Sequence, residues 1–472
     1  MEMTPFWGKV FCACVLVASA FLFLFQLNAR PFWDYDEAIF AQVNRETVQS
    51  ENPLILTYLG KPFFEKPPLY FWLSMATDRI FNQPELSYRL PAALFGILSI
   101  ALVMLITLTI TGSLFASGLA GLALLTIGPF IDEGRQVRLD VPAIAMILLG
   151  VYSFLKGLKK PMWFLGIGVS LALGFLFKSV VGLLGVLFIL IWSLFYRDFR
   201  WLKNRYFWAG LALGGGLLGL WFGYETYYFG ATFWNTHFAW YIFGLAVGGV
   251  VTTELTGFAY VRYVFYYLAP WSWVFVAAFV WTSIKYKQVS ERHAPIIIFG
   301  LTSLAILALF TIASAKYYRY LLPSYPFIAI TVALAIYAFL QEKRSRLRIS
   351  LVALLFATAS VNTYLYSSHA YSMLLVNDLI TKEEADIGLF LARPENTDEI
   401  YTYQHDYWDT IRYYSGGRMI RGIELDQILD KPFFLVMPRP LFYKHSPFPP
   451  ELDAHFTSLY GGEIVVLLHF TP

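Results

Sequence analysis

Long apolar runs, each close to twenty residues, recur from the first residues to about position 368, and short polar or charged breaks separate them. A helix needs about 20 mostly apolar residues to cross a bilayer. That length predicts spans at 8–27, 89–110, 114–131, 141–156, 161–177, 180–196, 206–224, 262–284, 294–313, 321–340 and 349–368, eleven in all. Residues 67–82 (PPLYFWLSMATDRIFN) are apolar but short, and are expected to form a helix lying along the interface. The run from Val10 to Leu27 continues through Phe21–Phe25 past the Ala18-Ser19-Ala20 stretch, so it reads as an uncleaved first span. Beyond 370 the pattern changes. IYTYQ, FFLVMP and EIVVLLHF read as strands, and DYWDTIRYYSGG and LDQILDK as helices, which predicts a small α/β domain over 371–472. No internal repeat is visible.

Composition agrees with a polytopic helical membrane protein. Hydrophobic residues make up 58% of the 472, charged residues 14%, and the mean hydropathy is +0.56. The formal charge of +3, with no basic run interleaved with stacking rings, excludes nucleic acid as a partner. Cys12 and Cys14 lie two apart in one apolar helix and point to different sides, so neither a disulfide nor a metal pair is expected.

Charge then orients the threading. With a cytoplasmic N-terminus, four inside loops carry 14 cations: Lys156, Lys159, Lys160; Arg197, Arg200, Lys203, Arg205; Lys285, Lys287, Arg292; Lys343, Arg344, Arg346, Arg348. Only Asp198, Glu291 and Glu342 oppose them. The positive-inside rule therefore puts the first loop, 28–88, and the C-terminal domain outside. The outer edge collects both signs together with His and Tyr, and chemistry is expected there.

Six stretches carry that chemistry. RPFWDYDEAIFAQVNRE places Asp34, Asp36 and Glu37 within four residues at a helix start. An acidic N-cap would explain one carboxylate; three suggest a group whose proton affinity is raised by its neighbours, a general base or a metal ligand. FFEKPPLY sets Glu65 beside Lys66 and stiffens the backbone with Pro67 and Pro68; Lys66 could be a point charge for a phosphate, and snorkelling is the plainer explanation. Arg138 and Asp140 flank a span, and Lys178 in GFLFKSVVGLLG sits where a cation is expensive without a partner. SAKYYRYLLPSYP adds Lys316, Arg319 and Tyr320 at a helix mouth. His237, among aromatics, reads as a satisfied interfacial histidine or, paired with Glu65 or Asp36, as a ligand for a divalent ion.

Together these residues resemble the GT-C glycosyltransferases, in the branch of the lipid A aminoarabinose transferases and their protein O-mannosyltransferase relatives. The resemblance rests on Asp36-Glu37, Glu65-Lys66-Pro67-Pro68, Arg89-Leu90-Pro91-Ala92, Lys178-Ser179-Val180-Val181-Gly182, Tyr320-Leu321-Leu322-Pro323 and Tyr325-Pro326, in order over about residues 30–330. It implies transfer of a sugar from a polyprenyl-phosphate donor to a glycolipid or glycoprotein acceptor in the cell envelope, at the outer face of a bacterial inner membrane. Asp36, with Glu37 beside it, would be catalytic; Lys66 and Tyr320, joined by Lys178 and Arg319, would meet the lipid phosphate. Asp34, Arg138, Asp140 and Lys316 would support them, and Glu65 and His237 match the family's metal-binding positions for zinc, magnesium or manganese. No nucleotide cofactor is expected, since no Gly-rich phosphate fingerprint appears. Ile39 stands where the branch has an arginine, and Phe238-Ala239-Trp240 follows His237 where a basic residue is usual. A protein O-mannosyltransferase-like enzyme and a lipid or sugar transporter are the alternatives, the latter expected to show paired repeats and charges at the bilayer midplane.

Overall fold

The computed structural model describes residues 4–33, 35–247, 257–284, 293–342, 346–402, 408–418, 420–422, 432–439, 456–461 and 465–471. Asp34 and the LDQILDK segment fall outside them. Among the described residues, seven helices are long and apolar enough to cross a membrane: Pro5–Leu24, Pro84–Thr111, Asp140–Gly157, Pro161–Leu183, Arg205–Phe229, Ala294–Ile312 and Tyr318–Gln341. An eighth span results if Phe258–Tyr267 and Trp271–Thr282, bent by 106° about a break that contains Pro270, are counted as one. Shorter apolar helices occupy Leu114–Leu125, Gly185–Tyr196 and Ile349–Tyr364. The protein is thus a polytopic helical membrane protein. The segment after Pro68 forms a helix over Leu69–Phe81, 13 residues. At 1.5 Å per residue it is about 20 Å long, too short for a hydrocarbon core of about 30 Å.

The chain divides into two compact units. The first comprises residues 1–25, 64–77 and 89–367, and the second residues 26–63, 78–88 and 368–472.

The first unit is the helical bundle. Its loops follow helix-end chemistry: Leu90–Thr111 stops at Gly112, whose φ of +68° suits glycine, and Ser113 caps the next helix by accepting from the Ala116 N–H. Side chains such as Val103, Ile106, Leu124, Ile144, Leu148, Phe188, Phe299 and Ile330 are buried between helices. The tightest crossing joins Leu165–Lys178 to Arg205–Phe229. A Cβ on Gly168 would stand 2.0 Å from the Gly210 carbonyl oxygen, and one on Gly214 would stand 2.2 Å from that of Gly168. Backbones in such contact are how helices associate where apolar burial supplies no driving force. This crossing seats the helix that ends at Lys178.

The second unit holds the helix Asp36–Gln49, the hairpin β1 (Thr57–Tyr58) and β2 (Lys61–Pro62), and a five-stranded sheet. The sheet comprises β3 (Glu399–Thr402), β4 (Ile420–Gly422), β5 (Phe433–Pro438), β6 (Phe456–Gly461) and β7 (Val465–Phe470), in the order β4-β3-β5-β7-β6. β3 runs parallel to β4 and β5, while β7 is antiparallel to β5 and β6. One face buries Ile400, Phe434, Val436, Val465 and Leu467 against Ile387, Leu391, Trp408 and Ile411. Ile387 and Leu391 belong to a helix that runs from Arg346 to Leu391, well beyond the end expected near 368. β5 and β7 are buried along almost their whole length, which is why their sequences are continuous apolar runs without alternation.

Candidate functional site

In the first unit polar residues at the ends of separate helices converge in two clusters. The first begins with Lys178, the last residue of its helix, whose ammonium pairs with the carboxylate of Asp140 at the start of Asp140–Gly157. Only 15% of the Lys178 side chain and 5% of that of Asp140 are exposed. The Lys178 ammonium also lies 5.7 Å from the centre of the Tyr320 ring. Tyr320 belongs to the turns Tyr318–Ser324, which pack against the Asp140 helix and the helix Gly128–Glu133. The Arg138 Nε lies 3.4 Å from Glu133 Oε2 and 3.3 Å from Gln136 Oε1. The Glu133 contact is an ion pair without hydrogen-bond geometry, so that buried oxygen accepts no bond among the described residues. Burial pushes the Glu133 carboxyl up to about 7, while the positive charges of Arg138 and Arg319 pull it back. The Arg319 guanidinium stacks over Tyr317 at 4.9 Å, and Lys316 donates to the Ala313 carbonyl at 2.8 Å.

The second cluster surrounds His237. The helix before it stops at Lys178, and Ser179 adopts a φ of +46°, an unfavourable backbone for a residue with a Cβ. That break turns the Ser179 hydroxyl to His237 Nε2, at 3.1 Å. The other ring nitrogen, Nδ1, meets the Phe64 carbonyl at 2.6 Å. A carbonyl only accepts, so Nδ1 carries the proton and Nε2 is the acceptor for serine. The ring is fully buried and stacked at 5.6 Å on Phe233, with Trp221 edge-on at 5.6 Å. Burial, with Lys66 nearby, lowers its pKa and keeps it neutral. Lys66 is met by the Tyr241 hydroxyl, and its ammonium lies 4.1 Å from the centre of that ring. Among the described residues no three His, Cys, Asp or Glu side chains gather as a metal site. With both His237 nitrogens engaged, the residues present do not fit a protein-held divalent ion.

In the second unit the acidic start of Asp36–Gln49 is built around Tyr35, whose φ of +63° is again a strained value for a non-glycine residue. Glu37 is fully buried and accepts from the Trp33 N–H at 2.9 Å, closing the turn. It is bound as a cap for the approach to the helix. Asp36 is half-buried, and its charge reaches Asp409, whose carboxyl is raised by burial first and by Asp36 among the lesser causes. Tyr241 and Asp409 did not stand out in the sequence, and Ser179 stood only within the Lys178–Gly182 motif; none of them carries a local signal of these partners.

The first unit is thus a helical bundle whose polar groups cluster at helix ends, and the second holds a mixed sheet. A family model described as dolichyl-phosphate-mannose-protein mannosyltransferase matches residues 10–237. An undecaprenyl phosphate-alpha-4-amino-4-deoxy-L-arabinose arabinosyl transferase of Enterobacter sp. (strain 638) is 23% identical over 331 residues, 68% of this chain and 58% of the relative. Another, from Pseudomonas fluorescens, is 24% identical over 375 residues, 75% of this chain and 61% of the relative. The chain's matches to these arabinosyl transferases span between 30% and 61% of their length. Among solved structures, ArnT from Cupriavidus metallidurans bound to undecaprenyl phosphate superposes with a TM-score of 0.72 at 18% identity, covering 99% of this chain and 98% of that one. The Archaeoglobus fulgidus oligosaccharyltransferase in complex with Zn and sulfate gives 0.51 at 11% identity, covering 91% and 68%. At such identities the likeness is one of fold. These comparisons bear out the resemblance carried by the motifs, to GT-C glycosyltransferases of the ArnT and protein O-mannosyltransferase type.

Proposed function

We propose that the protein is a membrane glycosyltransferase that moves a sugar from a polyprenyl-phosphate donor to a cell-envelope acceptor, lipid A or another glycolipid, on the outer face of a bacterial inner membrane. The observation that carries this reading is the first unit's basic edge, Lys178, Arg138 and Arg319 with Tyr320, beside an apolar cleft of about 420 Å³. The cleft is lined by Tyr260, Phe265, Phe275, Leu304 and Leu321 among others. Its Tyr260 hydroxyl donates to the Tyr317 carbonyl at 2.9 Å, and Leu321 directly follows Tyr320. An oily cavity whose lining residues Tyr260 and Leu321 adjoin the turn that carries Arg319 and Tyr320 suits a lipid whose head is a phosphate.

In the transfer, an acceptor oxygen attacks the anomeric carbon, the bond from that carbon to the phosphate oxygen breaks, and the lipid phosphate leaves. Lys66, Lys178 and Arg319 stabilise the charge that grows on the departing phosphate. Asp36 takes the proton of an attacking hydroxyl, or orients the acceptor when that is itself a phosphate. Asp140 holds Lys178 in place, and Arg138, beside Glu133, supports the basic edge. The topology that goes with this reading has eleven spans, a cytoplasmic N-terminus, and the 28–88 loop and residues 371–472 in the periplasm. Whether the sugar is a pentose or a hexose is left to the assay. A divalent ion at Glu65 and His237 would require Nε2 to exchange the Ser179 hydroxyl for the metal and substrate or water to complete its shell.

The test is mass spectrometry of envelope glycolipids and glycoproteins from cells with the intact gene, without it, and with Asp36→Asn or Lys66→Ala. A sugar present only with the intact gene and lost in both variants is the expected result, and the molecule carrying it names the acceptor. Near-normal modification in both variants would refute the site.

A further inference from the structure

The tail's short helix Asp409–Tyr414 is bound to the segment that carries Asp36, through contacts inside the second unit. The Thr410 hydroxyl donates to the Phe32 carbonyl at 3.2 Å, and the Phe32 N–H donates to the Tyr414 hydroxyl at 3.1 Å. The Tyr414 hydroxyl in turn donates to Glu85 at 2.8 Å. The Phe32 ring is fully buried, stacked on Tyr88 at 5.7 Å and met edge-on by Tyr413 at 5.1 Å. Farther along the helix that Asp36 begins, the Arg45 guanidinium donates to the Tyr413 carbonyl and lies 4.4 Å from the Tyr413 ring centre. Asp409 accepts from the Tyr58 hydroxyl at 3.0 Å and pairs with Arg412, which also donates to that hydroxyl at 3.0 Å.

Attachments of this number are more than a surface helix needs. Between Phe32 and Asp36 lies Tyr35, whose left-handed backbone persists only when its surroundings over-determine it. The surroundings that grip the preceding strand of chain are the hydroxyls of Thr410 and Tyr414, together with the Glu37 cap on Trp33. We propose that the helix Asp409–Tyr414 is a positioning element of the reaction centre, with Thr410 and Tyr414 holding the Phe32 peptide groups so that the Tyr35 turn aims the Asp36 carboxylate. The inference rests on Asp36 being the catalytic carboxylate. It makes the C-terminal domain part of the catalytic apparatus, and it assigns positioning roles to two side chains far from any recognised motif.

The test uses the full-length protein in nanodiscs with undecaprenyl-phosphate-linked 4-amino-4-deoxy-L-arabinose as the donor probe. Two readouts are taken: steady-state kinetics, and amide hydrogen exchange over residues 31–38. Thr410→Val and Tyr414→Phe should each speed exchange in that segment and lower kcat, by about tenfold or more together, because about 1 Å of misplacement costs on the order of a hundredfold. KM for the donor should stay within about twofold, and Thr410→Ser should restore kcat. Unaltered exchange at 31–38, or kcat within twofold of wild type in the double variant while Asp36→Asn is inactive, overturns the positioning role alone. Full activity in Asp36→Asn overturns the catalytic assignment, and the inference with it.

Discussion

The Lys178–Asp140 pair offers a quantitative test of the site's electrostatics. Two opposite charges about 4 Å apart attract by about 4 kcal/mol at an effective dielectric near 20. Withdrawing each ion from water costs several kcal/mol, so the intact pair is close to break-even. Removing one partner is different, since it strands the other charge at a cost of about 3–5 kcal/mol. With 15% of its side chain exposed, Lys178 keeps some hydration, which puts Asp140→Asn near 3 kcal/mol. Lys178→Met strands the better-buried carboxylate, 5% exposed, and should cost about 4 kcal/mol. The double variant carries neither charge and should cost only about 1–2 kcal/mol. At about 2 °C per kcal/mol the single variants should lose about 6–8 °C in Tm and the double variant about 2–4 °C, read as thermal unfolding of the purified protein in detergent. If the two single losses simply add in the double variant, the residues are not coupled and the buried-pair argument is wrong.

Glu133 keeps its proton in the folded protein up to about pH 7, against about 4.5 when unfolded, so wild-type stability falls as pH rises between those values. Glu133→Gln escapes that loss, less what it forfeits with Arg138. Its stability advantage, followed by thermal unfolding, should therefore grow from pH 5 to pH 8 by up to about 3 kcal/mol, and a pH-independent difference would contradict the buried-acid reading. EDTA should leave the Tm unchanged, because Phe64 and Ser179 already satisfy the His237 ring; a fall of several degrees, reversed by zinc, would show that an ion holds the site together. Gly168→Ala places a methyl against the Gly210 backbone and should destabilise by about 1–3 kcal/mol, whereas Gly216→Ala, with open space at its Cβ, should be neutral or better in the same melt.

Much of the bundle was legible because bilayer thickness imposes a length on every crossing. Each of the eleven apolar runs falls on helix, including 114–131, which the structure builds as Leu114–Leu125 and a second short helix, Gly128–Glu133. The strands β3, β5 and β7 were legible as apolar runs; β4 and β6 were not, since Ile420–Gly422 and Phe456–Gly461 owe their pairing to neighbours and carry no run of their own. The helix through Leu391 outlasted its hydrophobic signal because TKEEADIGLFL reads as the start of a soluble element. Within the site, Lys178 announced a partner by its position in apolar sequence, and Asp140 fills that role. Local sequence could not show that Lys66 meets Tyr241, which lies 175 residues away along the chain. Likewise, nothing local says that Thr410 and Tyr414 reach Phe32.

At position 179 the main chain and the side chain ask for different amino acids. The dihedral there would be most comfortable as glycine, yet a glycine would leave the imidazole of His237 without the hydroxyl that closes its second nitrogen. A β-branched replacement would supply the oxygen and worsen the torsion. Serine is the small hydroxyl that meets both demands tolerably, so one side chain serves both the kink after Lys178 and the second nitrogen of a distant ring.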